Sequence, residues 1–274
     1  MDELEFWKMA GSGNDFMVID NRDGKIPEEK MGELVSRLCR RRESVGADGV
    51  IFIVPSDEYD FAWRFFNADG GEAEMCGNGA RCVARFAYLN GIAGTRMTFG
   101  TIAGPIVAQV LDREVRVRMP LPHSLRQDLD LDMGEGWLSA DFINTGVPHV
   151  VVRVEELQSH PVVQEGRKIR WHPLFSPGGT NADFIVIEDP HHIHMRTYER
   201  GVEDETLACG TGAIASALTA AVRGLVRSPV EVKTKGGEIL TIHFNAQKEK
   251  FHEVWLEGST SIIYKAQLHK EAIL

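Results

Sequence analysis

Short blocks of apolar residues with strand spacing dominate the chain, and helical spacing appears in only a few places. Leu4 to Met9 and Phe16 to Asp20 read as two strands joined by the turn Ala10 to Asp15. Pro27 opens a helix with Met31, Leu34, Val35 and Leu38 on one face, ended by the basic run Arg40 to Arg42. Val50 to Val54 and Phe61 to Asn67 read as strands, the second delivering the turn Asn67 to Gly71. A helix then begins behind Cys76, with Val83, Ala84, Phe86, Ala87 and Leu89 at helical spacing. Arg96 to Thr101, Ile106 to Leu111 and Val115 to Met119 are three further strands, the last two joined at Asp112 to Glu114.

Met119-Pro120-Leu121-Pro122 breaks this run, because prolines interrupt ladders and stiffen linkers. The acidic stretch Asp128 to Gly136 reads as solvated surface. A second strand-rich half follows: Phe142 to Asn144, Val150 to Val154, Phe184 to Ile187 and His194 to Glu199. Next come a helix behind Cys209, a hairpin from Glu231 to Phe244 around Gly236-Gly237, and last strands in Glu253 to Tyr264. The second helix is apolar nearly all round, through Ala213, Ile214, Ala217, Leu218 and Ala221, so it is expected to be buried on every side.

The two halves share an order of strands, a turn bearing Asn67 or Glu199, a Cys-Gly-x-Gly helix start, and hairpins. That order reads as an ancient duplication. The expected fold is α+β, with two pseudo-symmetric domains. Each is a mostly antiparallel sheet wrapped around a central helix, with the active site in the cleft between them. Residues 1–120 plus 265–274 are expected to form the domain carrying Cys76, and 121–264 the domain carrying Cys209.

Composition narrows the function. The chain has 274 residues, 43% hydrophobic and 26% charged, with a formal net charge of −10 that argues against a nucleic-acid partner. No apolar run reaches the length of a membrane span, and the acidic N-terminus is unlike a signal peptide, so a cytoplasmic location is expected. Four cysteines, none in a CxxC pair, fit reduced thiols better than a disulfide scaffold, a zinc ribbon or a thioredoxin-type redox pair. Gly11-x-Gly13 lacks the third glycine and following helix of a dinucleotide fold, and no P-loop is present, so no cofactor and no metal are expected.

The chemistry gathers at Cys76-Gly77-Asn78-Gly79 and Cys209-Gly210-Thr211-Gly212. Backbone N–H groups at a helix start lack partners and carry partial positive charge. They stabilise a thiolate or a ligand carboxylate. Two such thiols suit inversion at carbon, one removing a proton from one face while the other supplies a proton to the opposite face. Deprotonation beside a carboxylate builds charge on its oxygens, which the N–H groups of Gly77-Asn78 and Gly210-Thr211 can receive.

At these residues the sequence resembles the diaminopimelate epimerase family. The resemblance runs through Gly-Ser-Gly-Asn-Asp-Phe (11–16), Gly-Ala-Asp-Gly (46–49), Phe-Asn-Ala-Asp-Gly (66–70) and Cys-Gly-Asn-Gly-Ala-Arg-Cys (76–82). It continues through Gly-x-Pro-His (146–149), Gly-Thr-Asn (179–181), Tyr-Glu-Arg-Gly (198–201) and Glu-Thr-x-Ala-Cys-Gly-Thr-Gly (205–212). It implies conversion of LL-2,6-diaminopimelate to the meso form, in lysine and cell-wall precursor synthesis, with Cys76 and Cys209 as the acid/base pair and without pyridoxal phosphate or metal. It also implies that Asn14, Asn67, Asn181, Glu199 and Arg200 hold the substrate, that His149 and Glu199 tune the thiols, and that a homodimer is plausible. The chain departs from the family at Val147, where many members have Asn, and at Gly49, where some have Gln.

Plainer readings stand beside these. A single buried cysteine is usually structural, which is the reading for Cys39 and Cys82. The His191, His192 and His194 cluster reads as a solvated loop. The rivals to the epimerase are a racemase of another amino acid, such as proline or histidine, a non-catalytic amino-acid-binding protein, and a thiol–disulfide redox protein.

Overall fold

The computed structural model of the protein describes residues 4–134, 136–247 and 250–273. In chain order the elements are β1 (Leu4–Gly11), β2 (Asn14–Asp20), α1 (Glu28–Leu38), β3 (Gly49–Val54), β4 (Phe61–Asn67), α2 (Gly77–Leu89), β5 (Arg96–Thr101), β6 (Gly104–Leu111) and β7 (Glu114–Arg118). They continue as β8 (His123–Asp132), β9 (Trp137–Asn144), β10 (Pro148–Arg153), α3 (Val162–Arg170), β11 (Asn181–Asp189), β12 (His192–Glu199), β13 (Asp204–Thr206), α4 (Gly210–Val222), β14 (Val230–Lys233), β15 (Ile239–Gln247), β16 (Lys250–Ser259) and β17 (Ser261–Leu268).

The chain divides into two compact units, residues 1–117 with 258–274, and residues 118–257. The division near residue 264 expected from sequence therefore comes too late. β17 pairs antiparallel with β1, from Leu4↔Leu268 to Ala10↔Ser261, and this ladder holds Ser261 to Tyr264 in the first unit.

In the first unit, β1–β2 is antiparallel, β2–β3 parallel, β3–β4 antiparallel, β4–β5 parallel and β5–β6 antiparallel. In the second unit, β9–β10, β10–β11, β11–β12, β12–β14 and β14–β15 repeat that alternation in the same order. Helices occupy matching places too, α1 and α3 in the first crossover and α2 and α4 in the second. A parallel pair needs a crossover long enough to carry a helix, which is why the four helices fall where they do. The duplication read from sequence order is a duplication of strand pairing.

The sheet of each unit is buried on both faces. In β2, Met17 and Ile19 join a core with Met31, Leu34, Val35 and Leu38 of α1, while Phe16 and Val18 face the opposite way. On that other side lies α2, with Ala80, Val83, Ala84, Phe86 and Ala87 buried and Phe86 edge-on to Trp7 at 4.9 Å. The second unit repeats this: Phe142, Val150, Val152, Ala182 and Phe184 pack with Val162 and Ile169 of α3, and α4 is buried from Gly212 to Ala220. Ile214 and Leu218 each contribute roughly 1.5–3 kcal/mol by burial. Each unit thus wraps its sheet around one helix that begins with a cysteine.

The stretch Asp128 to Gly136, read as solvated surface, starts inside a strand. β8 and β9 form an antiparallel hairpin in which Leu129 and Leu131 point inward while Asp128, Asp130 and Asp132 stay exposed. Period-2 alternation places all three carboxylates on the solvent side. No helix among the described residues is long and apolar enough to cross a membrane.

Candidate active site

The two helix starts have nearly the same backbone. Cys76 is the N-cap of α2, with φ −145° and ψ 117°; Cys209 is the N-cap of α4, with φ −135° and ψ 112°. Each helix runs 13 residues. Cys76 Sγ accepts a hydrogen bond from the Gly79 amide at 3.4 Å, so the sulfur takes the place of the usual capping oxygen. Cys76 is half-buried and Cys209 buried. Gly77 and Asn78, like Gly210 and Thr211, are the first helical residues, and their amides precede the first intrahelical bonds, Ala80 to Cys76 and Ala213 to Cys209.

Around Cys76 the side chains form a directed chain. Arg81 Nη2 donates to Asn78 Oδ1 at 2.8 Å, Asn78 Nδ2 to Asn14 Oδ1 at 2.9 Å, and Asn14 Nδ2 to Asp48 Oδ2 at 3.0 Å. Arg81 also donates to Ser12, and Arg41 bridges Asp15 and Asp48 at 2.6 and 2.8 Å. Arg81 is fully buried, so its charge acts in a low-dielectric region. Burial pushes the Cys76 thiol up, with a small further push from the Asp48 carboxylate, and outweighs the Gly79 and Asn78 amides and the Arg81 charge that pull it down.

Around Cys209 the charges have the opposite sign. His149, fully buried on β10, places Nδ1 2.7 Å from Asp183 Oδ2 and Nε2 2.9 Å from Thr211 Oγ1. Thr211 Oγ1 is 3.5 Å from Cys209 Sγ. Asp183 is also fully buried, and its Oδ1 accepts from Thr197 Oγ1 at 2.7 Å. Thr145 Oγ1 donates to the Thr211 carbonyl at 3.0 Å. Burial pushes the Cys209 thiol up to about 12, and the Asp183 and Glu199 carboxylates add to it. Glu199 is itself raised by burial, against the neighbouring Thr206 hydroxyl and His149.

The remaining expected residues fall at the matching ends of matching strands. Asn67 closes β4, exposed, opposite Gly49. Glu199 closes β12, half-buried. Asn181 opens β11 opposite His149; its Nδ2 donates to the Pro148 carbonyl and its Oδ1 accepts from the Arg200 amide, at 2.9 and 2.8 Å. The side chain expected to touch substrate is thus already tying two loops together. Arg200 Nη1 lies 3.3 Å from the Gly178 carbonyl. The departure at Gly49 has a steric reason, because a Cβ there would meet the Phe66 carbonyl oxygen at 2.6 Å. Nothing in the structure explains Val147.

Cys39 and Cys82 lie in the packed interior, and burial pushes Cys39 up to about 11. Among the described residues no three His, Cys, Asp or Glu side chains are grouped to hold a metal. The sequence reading passed over Asp48, Arg81 and Asp183. For Asp183 a signal was available: it shares a strand face with Asn181, while Ala182 and Phe184 point into the core beside α3.

The family model described as diaminopimelate epimerase matches residues 6–122 and 142–262. A diaminopimelate epimerase of Aquifex aeolicus (strain VF5) is 46% identical over 280 residues, covering 98% of this chain and 99% of the relative. Among solved structures, a PhzF-family phenazine biosynthesis protein of Bacillus anthracis matches with a TM-score of 0.72 at 17% identity, covering 98% of this chain and 100% of that one. A probable proline racemase of Agrobacterium radiobacter K84 matches with a TM-score of 0.68 at 18% identity, covering 97% and 93%. These two establish the fold alone. The sequence matches reach further: spanned almost end to end by the family model and by a close relative, this chain belongs to the diaminopimelate epimerase family.

Proposed function

We propose that the protein interconverts LL-2,6-diaminopimelate and meso-2,6-diaminopimelate by moving a proton at one α-carbon, with Cys76 and Cys209 as the two bases. The observation that carries this is the repeated helix start: the same cysteine, cap geometry and free amides at equivalent places in two units of a chain from this family. One thiolate removes the α-proton while the other sulfur, as a thiol, supplies a proton to the opposite face. Charge that develops on the substrate carboxylate is received by the amides of Gly77-Asn78 and Gly210-Thr211. Asn14, Asn67, Asn181, Glu199 and Arg200 position the rest of the substrate, with Arg200 suited to fork onto the distal carboxylate. Membership of the family supports a role in lysine and peptidoglycan-precursor synthesis, and we take the location to be the cytoplasm. We take the working form to be a homodimer of the 30.5 kDa chain, which light scattering would test.

The test of the chemistry is α-hydrogen exchange in deuterated water under reducing conditions. LL-diaminopimelate should exchange and yield the meso form, and proline should not. Cys76→Ser and Cys209→Ser should each slow epimerisation by about 10²–10⁴-fold, the range for loss of a positioned acid or base. No exchange by the reduced wild-type protein would overturn the proposal, and exchange with proline alone would make it a racemase of a different substrate.

A further inference from the structure

Asp183 is a fully buried carboxylate that the two-thiol reaction does not itself require. Its surroundings set the direction of every hydrogen in a chain that ends on sulfur. A carboxylate only accepts, so His149 Nδ1, 2.7 Å from Oδ2, must carry a hydrogen. In a neutral imidazole with Nδ1–H, Nε2 is then an acceptor. The group at Nε2, 2.9 Å away, is the Thr211 hydroxyl, which donates its only hydrogen there. Thr211 Oγ1 is left with lone pairs facing Cys209 Sγ at 3.5 Å, and only a protonated sulfur completes that contact.

We infer that Asp183 is a positioning residue: by fixing the His149 tautomer it orients a hydrogen-bond chain through Thr211 that holds a proton on the Cys209 sulfur. Three features hold the device in place. Thr197 Oγ1 donates to the other Asp183 oxygen at 2.7 Å and stops the carboxylate from turning. Gly212 leaves the room that Asp183 Oδ1 occupies, since a Cβ at that position would overlap it. β10 and β11 are parallel neighbours with Val151 opposite Asp183, which keeps His149 and Asp183 on one sheet face. The groups facing His149 are Asp183 from β11, Glu199 from β12, and Thr211 with Cys209 at the start of α4. β9 contributes Asp141, whose carboxylate is taken by Arg223 at 2.7 and 2.6 Å.

The inference rests on Cys209 being one of the two bases, but its test needs no turnover. Alkylation of Cys209 by iodoacetamide is followed across pH by mass spectrometry of its peptide, in wild type, Asp183→Asn, Thr211→Val and the double variant. Where the amide introduced by Asp183→Asn turns its Nδ2 to His149 Nδ1 and its Oδ1 to the Thr197 hydroxyl, Nε2 gains the hydrogen and the Thr211 hydroxyl turns its own toward Sγ. The midpoint for Cys209 should fall by about one pH unit or more, a tenfold rise in thiolate at fixed pH. In the Thr211→Val background the same substitution should move it less than half as far. Equal shifts in both backgrounds would make Asp183 a plain charge and overturn the inference, as would no shift in either. A second measurement uses the wild-type fold: ¹⁵N spectra of labelled histidine, with the His149 signal identified by its loss in His149→Gln, should show hydrogen on Nδ1 and none on Nε2. The reverse tautomer would overturn the inference whatever the variants do. Failure to turn over diaminopimelate would count against the proposed reaction and leave both of these readouts intact.

Discussion

The two helix starts match in backbone and differ in charge. Cys76 stands near a buried guanidinium, that of Arg81, which ends a chain of amides leading to Asp48. Cys209 stands near two carboxylates, Asp183 and Glu199, with the imidazole of His149 between acid and hydroxyl. Burial raises both thiols. The charges then separate them, because a cation favours thiolate and an anion favours thiol. A duplicated fold supplies two like groups, but the proposed inversion needs an unlike pair, one sulfur bare and one protonated. The difference between the units supplies what the symmetry does not.

The largest expected effect follows directly. The Arg81 charge favours thiolate at Cys76, while the Asp183 and Glu199 carboxylates favour thiol at Cys209, so at a given pH the thiolate fractions separate. Iodoacetamide under single-hit conditions should therefore label Cys76 well before Cys209, as read by peptide mass spectrometry. Arg81→Gln should narrow the gap about tenfold by slowing Cys76 alone. Equal labelling of the two sulfurs in wild type, or Cys209 first, would break the comparison.

The fourth residue of each motif sharpens it sterically. A Cβ at Gly79 would meet the flexible Ile51 Cδ1 at 3.1 Å, and one at Gly212 would overlap Asp183 Oδ1. Alanine favours a helix interior over glycine by roughly 0.5–1 kcal/mol, so Gly79→Ala should change stability by less than about 1 kcal/mol in either direction. Gly212→Ala must displace a buried carboxylate from its partners and should cost roughly 2–3 kcal/mol. Thermal melting of the two variants side by side decides the matter. Equal melting temperatures would show that Asp183 yields easily, which a fixed carboxylate would not.

These glycines mark how far the sequence was legible. Cys-Gly-x-Gly behind strand-spaced residues was enough to find both helix starts, because a cap, two permissive residues and an apolar face agree there. The repeated order of elements was enough to find the duplication. What it hid was local competition. β8 was passed over because the carboxylates from Asp128 onward outnumber the leucines that set the strand's inner face. α3 was passed over because Gly166 interrupts a narrow apolar stripe. That glycine lets the helix approach Tyr198, a contact made across the sheet and invisible along the chain. Asp183 was hidden for a related reason: its partners His149 and Thr197 lie on other strands and meet it only through the β10–β11–β12 register.

The smallest expected effect concerns how the first unit holds Asn14. Asp15, next to it in β2, is 2.7 Å from Lys8 Nζ and 2.6 Å from Arg41 Nη2, and Arg41 goes on to Asp48, the acceptor of Asn14. Burial alone would raise the Asp15 carboxyl, but hydrogen bonds and charge from Arg41 and Lys8 outweigh it and hold it below the ordinary carboxylate range. A folded-state value below the unfolded one means that the stabilisation is present above the unfolded value, about 3.9, and is lost as pH falls through the folded one. Arg41 is largely exposed, so screening limits the gain to about 1 kcal/mol. Asp15→Asn should therefore lower stability by up to that amount at pH 7, and the two proteins should converge as the pH falls through and below the ordinary carboxylate range. The second unit has no counterpart at the equivalent place, where Val147 precedes Pro148. Asp15→Asn should accordingly leave the pH response of Cys209 labelling unchanged. A shift in Cys209 labelling would show the two charge environments to be coupled, and the contrast drawn between them would no longer describe two independent settings.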